Sequence, residues 1–512
     1  MNSGPFNFVP ILIGALGLLV AFFVGITVGE GDFPVLLMVF GLLGMILIVA
    51  FMRQRVWVLL AMFWGFTGSV YVLPLRFSVR DLVVLLVTAI ACALFALRIF
   101  KFRNSWKFLD AILFLNVAQV ALAFLFHPVG LRSMSSSTVG AKPYFNVVIA
   151  LVAYLILSNQ IAPPKLARAL PVFVFIPEAI SSCISLLVRV VPRIGLVLGY
   201  FYSDFFPPLS VQGGGVERIS IGSGSTLVRL LCSYFRPLST INPLRPLRLF
   251  LLLLGLVLIL ISGFRSTLLS AAAIFLLSCY LRNGWKDLLA ALAGISLVIA
   301  ALVLFNATVH PLPLPIQRTL SFLPGTWDSR AREDAAGSTE WRLQMWRDLT
   351  KGNKYIQDKI MGDGFGFSRM ELQAMERQNY STGPEMQEYF MIIGAFHNGP
   401  LSAIRYVGVV GLLLYYALMI TTAIYAYRLI RRATRSDFYP MALFYGLGLI
   451  WEPLNYTLIF GAYDSGLPDA IFAVGILKLL HNSLVAYPPE ERRKPRQPLP
   501  TSHGRSRSLA PA

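Results

Sequence analysis

Three cations in this chain stand where apolar sequence gives way to polar sequence. They are Arg218 in VERISIGSG, Arg265 in ISGFRSTLL and His397 in GAFHNGPLSAIRYVGVVGLL. Arginine presents a planar, permanently charged fork that matches phosphate oxygens. Histidine is the side chain whose ordinary pKa lets it serve as a base near neutral pH. Such a set suits a reaction in which a diphosphate leaves and a hydroxyl attacks. A single arginine at a membrane mouth can simply extend to lipid phosphates. Three cations at one depth, beside a large polar segment, point instead to a shared role. The remaining histidines, His127, His310, His481 and His503, do not cluster in sequence with carboxylates, and no HExxH motif occurs. Nothing therefore demands a metal site.

The elements that must position these residues are apolar helices. Of 512 residues, 56% are hydrophobic and only 13% charged, against about 25% charged in soluble domains. Mean hydropathy is +0.68. So few charges cannot cover that much apolar surface in water, and the same composition excludes intrinsic disorder. Apolar blocks lie near 8–28, 33–52, 56–73, 81–98, 108–127, 144–160 and 167–187. A weaker block near 224–240 carries Arg229 and Arg236, which suggests a tilted, broken or protein-buried helix. Others follow at 248–263, 266–282, 287–306, 400–426, 439–459 and 467–484. The expected fold class is an all-α polytopic membrane protein with about 12–14 spanning helices.

Lys and Arg exceed Asp and Glu by 44 to 25, a net charge of +19. This excess reads as topogenic charge, not as a nucleic-acid surface. With fourteen crossings, Arg53 and Arg55, the group Arg98 to Lys107, Lys165 and Arg168, Arg245 and Arg248, Arg282 and Lys286, and the group Arg428 to Arg435 all fall on one side. That side is the cytoplasm by the positive-inside rule, and both termini share it. The first block follows MNSGPFN, with no basic residue and no clear small-residue cleavage site, and reads as a retained helix. The four cysteines, Cys92, Cys183, Cys232 and Cys279, lie in apolar runs and form no CxxC pair. They read as small core residues, not as a disulfide framework.

The chain then divides into N-terminal spanning helices (1–187), central helices with outer-face arginines (188–306), a large outer loop (307–399), C-terminal helices (400–484) and a basic, proline-rich tail (485–512). The tail reads as disordered and cytoplasmic. Eleven of the chain's 25 carboxylates sit in the loop, and loops of that length are usually functional. A loop helix is expected from Ser338 as cap, with Trp341, Met345 and Leu349 recurring every four residues and Lys351-Gly352 closing it. The segment 188–222, rich in aromatics, reads as interfacial. MGDGFGFS carries Gly362, Gly364 and Gly366. No buried strand precedes it, so it is not a dinucleotide fingerprint; tight turning and close backbone approach suit it better.

In order along the chain stand Arg218 before a glycine-containing apolar stretch, SGFRSTLL with Arg265, R-x-x-x-W at Arg342 and Trp346, GDGFG, then His397-Asn398 and an apolar helix with Gly408 and Gly411. In that order and loop position the chain resembles the O-antigen ligase and polymerase superfamily of bacterial envelope glycan enzymes, over roughly residues 200–425. The resemblance implies an inner-membrane enzyme whose large loop is periplasmic. It would move a glycan from a polyprenyl-diphosphate carrier, such as undecaprenyl diphosphate, to a glycan, lipid A-core or protein hydroxyl, with no nucleotide or metal cofactor. Arg218 and Arg265 would hold the diphosphate and His397 would position or deprotonate the acceptor. Arg318, Arg342, Asn398 and Gly364 would contact substrate, although Arg342 could equally be an ion-pair partner on the loop helix. Trp346 reads as core more than as a sugar platform. The competing class is a flippase or transporter of lipid-linked oligosaccharide or exopolysaccharide. Such folds usually show internal repeats and midplane charge, and neither is evident here. A structural or assembly protein without catalysis is a third class.

Overall fold

The computed structural model describes residues 55–70, 77–96, 107–129, 140–203, 222–366, 388 and 390–488. Arg218, the first two apolar blocks and nearly all of the C-terminal tail lie outside these residues. The chain forms two compact units, residues 1–60 and 61–512. Of the first unit, residues 55–60 are described, and they run through a turn into α1 (Val58–Phe63).

The second unit is helical, and among the described residues it contains isolated bridges but no strand. Its helices are α2 (Val79–Ala96), α3 (Phe108–Phe126), α4 (Ala141–Ser158), α5 (Pro164–Val190), α6 (Pro192–Phe201), α7 (Ser223–Tyr234), α8 (Pro237–Thr240) and α9 (Pro246–Ser262). Then come α10 (Arg265–Asn283), α11 (Trp285–Thr308), α12 (Leu314–Leu320), α13 (Ser329–Lys351), α14 (Gly399–Ala433), α15 (Tyr439–Leu454) and α16 (Tyr463–Ala486). Eight of these, α2, α3, α4, α5, α10, α11, α14 and α16, are long and apolar enough to cross a membrane. This is an all-α polytopic membrane protein.

The third apolar block, 56–73, does not form one long helix among its described residues. α1 stops at Phe63, ahead of Gly65 and Gly68. Beyond it, other elements satisfy the backbone: Phe66 O accepts from Arg80 N, Gly68 N donates to Tyr202 Oη and Ser69 N to Ser203 Oγ. The weak eighth block resolves into the twelve-residue α7 and the single turn α8, parted at Arg236-Pro237. α7 is about 18 Å long, too short for a hydrocarbon core of about 30 Å. It is sheltered by protein: a Cβ on Gly224 would meet Gly255 O of α9 at 2.9 Å, so the two helices cross at backbone contact.

α16 is the most enclosed span, packed against α4 and α14. Lys478 Nζ on α16 donates to Asp110 Oδ2 at 2.8 Å, and Tyr154 Oη donates to Asp110 Oδ1 at 2.7 Å. A charged pair buried at such depth holds only because each ion faces its counterion. α11 is the opposite case: Ala291 is its one buried residue, and Leu289, Leu297 and Leu304 are exposed. That surface is what lipid contact requires.

α10 defines the two ends of the bundle. Its first residue, Arg265, meets the loop helix α13, whereas Arg282, near its last turn, donates to the carbonyls of Cys232 and Ser233 at 2.9 and 2.6 Å. Tyr234 of the same segment donates to Arg168 O, and Arg168 pairs with Asp437 at 3.6 Å. Three of the basic groups expected on one side therefore gather at the end away from the loop.

Candidate functional site

α14 is a broken helix, and the break joins it to the loop. At Gly408 the backbone turns to φ +69° and ψ −177°, a conformation essentially confined to glycine. The break frees carbonyls before it and N–H groups after it. The loop segment 359–364, which ends in GDG, takes most of them. Asp363 N donates to Arg405 O at 2.9 Å, Gly364 N to Tyr406 O at 3.1 Å, and Val409 N and Val410 N donate to Lys359 O and Ile360 O at 2.9 and 3.4 Å. Gln119 Nε2 of α3 covers Val407 O at 3.0 Å. An unpaired backbone group at this depth would cost several kcal/mol, so the loop and the broken helix form one element. Gly364, at φ +67°, would place a Cβ 2.9 Å from Tyr144 Oη. The close backbone approach expected of the glycines is real, and its partner is α14. Arg405 Nη1 holds Asp363 Oδ2 at 2.8 Å and secures the same junction.

His397 ends the loop. It is a non-glycine residue at φ +52°, a strained conformation that its surroundings must impose. Its ring lies among Trp341, Phe390 and Phe460, with centroids at 5.9, 5.7 and 5.5 Å. Asn398 next to it caps α14, its Oδ1 accepting from Leu401 N at 3.0 Å. Below, Met345, Leu349, Ile356 and Phe396 form a small core with Trp346 packed on it. Trp346 Nε1 donates to Phe396 O at 3.2 Å, which fits the core role expected of it.

The loop helix α13 begins at Ser329, nine residues before the expected cap Ser338. Asp328 is its N-cap, accepting from Arg330 N at 2.9 Å. Its end at Lys351-Gly352 is as expected. Ala331, Ala335, Met345 and Leu349 are its buried residues. Arg342 lies seven residues, about two turns, beyond Ala335 and so on the same face. It is half-buried.

Arg265 opens α10 after a left-handed turn at Gly263 (φ +73°). Its Nη2 donates to Ala335 O at 2.8 Å, which ties α10 to α13. Arg318 is buried, 3% exposed; Nη1 donates to Gly263 O at 2.6 Å and Nε pairs with Asp334. It thereby fixes the turn that aims Arg265.

Arg265 borders an outer cavity of about 610 Å³ with Ser321, Arg332, Thr339, Glu340 and Arg347 among its walls. Ser266 and Thr267, the next two residues, line an inner cavity of about 270 Å³ with Ser225, Arg229, Ser270, Asn455 and Phe460. Four hydroxyls and one guanidinium thus line a pocket within the helix bundle. Phe460, which touches His397, is part of its wall. It follows a single π-helical turn, Asn455–Ile459, at the end of α15. Arg229 also stacks on Phe444, 4.8 Å from the ring centroid. The sequence reading noted Arg229 only as a charge in a weak span and did not single out Arg332 or Arg347.

The fold and this end of it define a polytopic membrane protein whose arginine- and hydroxyl-lined cavities meet a folded polar loop. Residues 250–416 match the family described as O-antigen ligase. Over these residues the chain is similar to the O-antigen ligase family, the resemblance its motifs had suggested. The matched third of the chain contains Arg265, Arg318, Arg342, Gly364, His397 and Asn398; Arg218 precedes it. No curated protein matches the chain. The family match supports enzymatic glycan transfer of the O-antigen ligase type.

Proposed function

We propose that the protein transfers a glycan from a polyprenyl-diphosphate carrier to a hydroxyl acceptor at the periplasmic face of the inner membrane. The observation that carries this reading is the position of Arg265. It stands at the start of α10, bordering the outer cavity, while its neighbours Ser266 and Thr267 line the inner one. A helix N-terminus favours an anion, and the N-cap residue Phe264 supplies no side-chain cap. The diphosphate lodges at this turn, between Arg265 and Arg229, with the hydroxyls of Ser225, Ser266, Thr267 and Ser270 as donors. The lipid tail leaves into the membrane and the glycan extends outward. Arg218 is a further candidate for holding the diphosphate and Arg342 for contacting the substrate; Arg318 braces the Gly263 turn, Asn398 caps α14 beside His397, and Gly364 ties the loop to α14.

In the reaction the acceptor oxygen bonds to the anomeric carbon and the bond from that carbon to the diphosphate oxygen breaks. The acceptor proton passes to His397, and the diphosphate departs on its lipid with its charge held by the guanidiniums. The energy resides in the glycosyl–diphosphate bond, so no nucleotide takes part. The test is direct: purified protein in nanodiscs, given a lipid-diphosphate glycan and an acceptor without ATP, releases lipid diphosphate and extended acceptor. Movement of the lipid-linked glycan across the bilayer with its diphosphate bond intact would favour a flippase instead.

A further inference from the structure

The outer cavity is more cationic than the loop around it. α13 carries four carboxylates, Glu333, Asp334, Glu340 and Asp348, against five cations, Arg330, Arg332, Arg342, Arg347 and Lys351. The helix as a whole is nearly neutral, yet its charges are sorted by face. The cavity stripe runs through Arg332, Ala336, Thr339, Glu340, Leu343 and Arg347, at intervals of one helical face. Only one of the four carboxylates lies on it. Asp334 is turned to Arg318. With Arg265 the cavity has three guanidiniums and one carboxylate.

The cavity is also placed apart from the acceptor base. Trp341, which touches His397, repeats with Met345 and Leu349 on another stripe of α13. Apart from Arg265, every residue lining the cavity belongs to the loop, so it faces a polar chain and not the lipid tail. Its volume, about 610 Å³, lies in the range of pockets that enclose small ligands, about 300–1,000 Å³.

We infer that Arg332 and Arg347 are specificity-determining residues that select a glycan bearing an anionic group, a carboxylate or phosphate, near its diphosphate-linked end. Arginine forks bind both groups in paired, charge-assisted hydrogen bonds. Ser321, Thr339 and Gln344 supply neutral partners for the sugar hydroxyls beside them. The identity of the ligand as a sugar chain rests on the glycan-transfer reading; the charge preference rests on the cavity alone.

The test uses the full chain in phosphatidylcholine nanodiscs and two probes of equal length, a hexamer of glucuronic acid and maltohexaose, compared by isothermal titration. The acidic hexamer should bind at least tenfold more tightly, with a preference that shrinks as salt rises. Arg332→Gln and Arg347→Gln should each weaken acidic binding about five- to tenfold, and the double variant should abolish the preference. Both side chains are exposed, so these variants should keep the wild-type unfolding temperature. His397→Ala should retain the preference, which separates a failure of the transfer reading from a failure of this one. Equal binding of the two hexamers, or an undiminished preference in the double variant, would overturn the inference. So would loss of the preference when phosphatidylglycerol replaces half the lipid, since the arginines would then belong to lipid headgroups.

Discussion

Gly408→Ala should disable the protein although it adds one methyl group to an apolar helix. The native φ of +69° with ψ −177° costs a non-glycine residue about 1–3 kcal/mol in strain alone. The new Cβ would lie 2.0 Å from Ile360 O and 2.3 Å from Ile360 C. Those are backbone atoms that no rotamer change can move aside. Relief requires the GDG segment to retreat, which parts Val409 N from Lys359 O and Val410 N from Ile360 O. Each buried N–H left without a partner costs about 1–3 kcal/mol. The sum is at least ~3 kcal/mol, and the loop that ends in His397 loses its anchor. The assay is thermal unfolding in nanodiscs, with Gly294→Ala as control. Gly294 lies in α11 with nothing within 4 Å of an added Cβ. The control should unfold at the wild-type temperature or slightly above it, and Gly408→Ala several degrees lower with transfer lost. If the two variants unfold together and Gly408→Ala stays active, the coupling of loop to broken helix is refuted.

Arg265→Ala should lower transfer by about 30- to 1000-fold, the equivalent of ~2–4 kcal/mol for a lost donor to developing charge. Arg265→Lys should recover only part of it, because the planar fork is gone; steady-state rates at matched protein levels decide. Lys478→Met leaves the buried Asp110 without its counterion and should destabilise by about 3–5 kcal/mol, read as a lower unfolding temperature that Asp110→Asn in the same chain partly restores. Reporter fusions at Ser381 and after Pro488 should report opposite compartments, and agreement between them would remove the periplasmic site.

Hydropathy alone was enough to read α2 to α5, α9 to α11 and α14 to α16, because each must carry an apolar surface to lipid or to a neighbour. The break in α14 was hidden: a glycine within an apolar run looks like any other, and what makes Gly408 singular is Ile360, nearly fifty residues away. The first ten residues of α13 were obscured for a related reason. SRAREDAAGS buries only Ala331 and Ala335, so the buried face has no large apolar residue to give it a period. Arg265 and His397 were legible because each interrupts the pattern at a helix start. Arg229 was legible only as an anomaly, since its cavity is made with α10 and the turn after α15, remote in sequence. Arg318 could be seen as a charge near the mouth but not as the brace of the Gly263 turn, since Asp334 and Gly263 reach it from separate elements.

The central claim is that charge at Arg265 serves the donor and His397 serves the acceptor. Single-turnover transfer from a radiolabelled lipid-diphosphate glycan, measured beside donor binding in the same nanodiscs, separates the two. His397→Ala should bind donor within about twofold of wild type while transfer falls about 100- to 10,000-fold, the usual worth of general-base help. Loss of donor binding in His397→Ala in step with transfer would contradict the account, since the histidine would then hold the diphosphate and not take the acceptor proton.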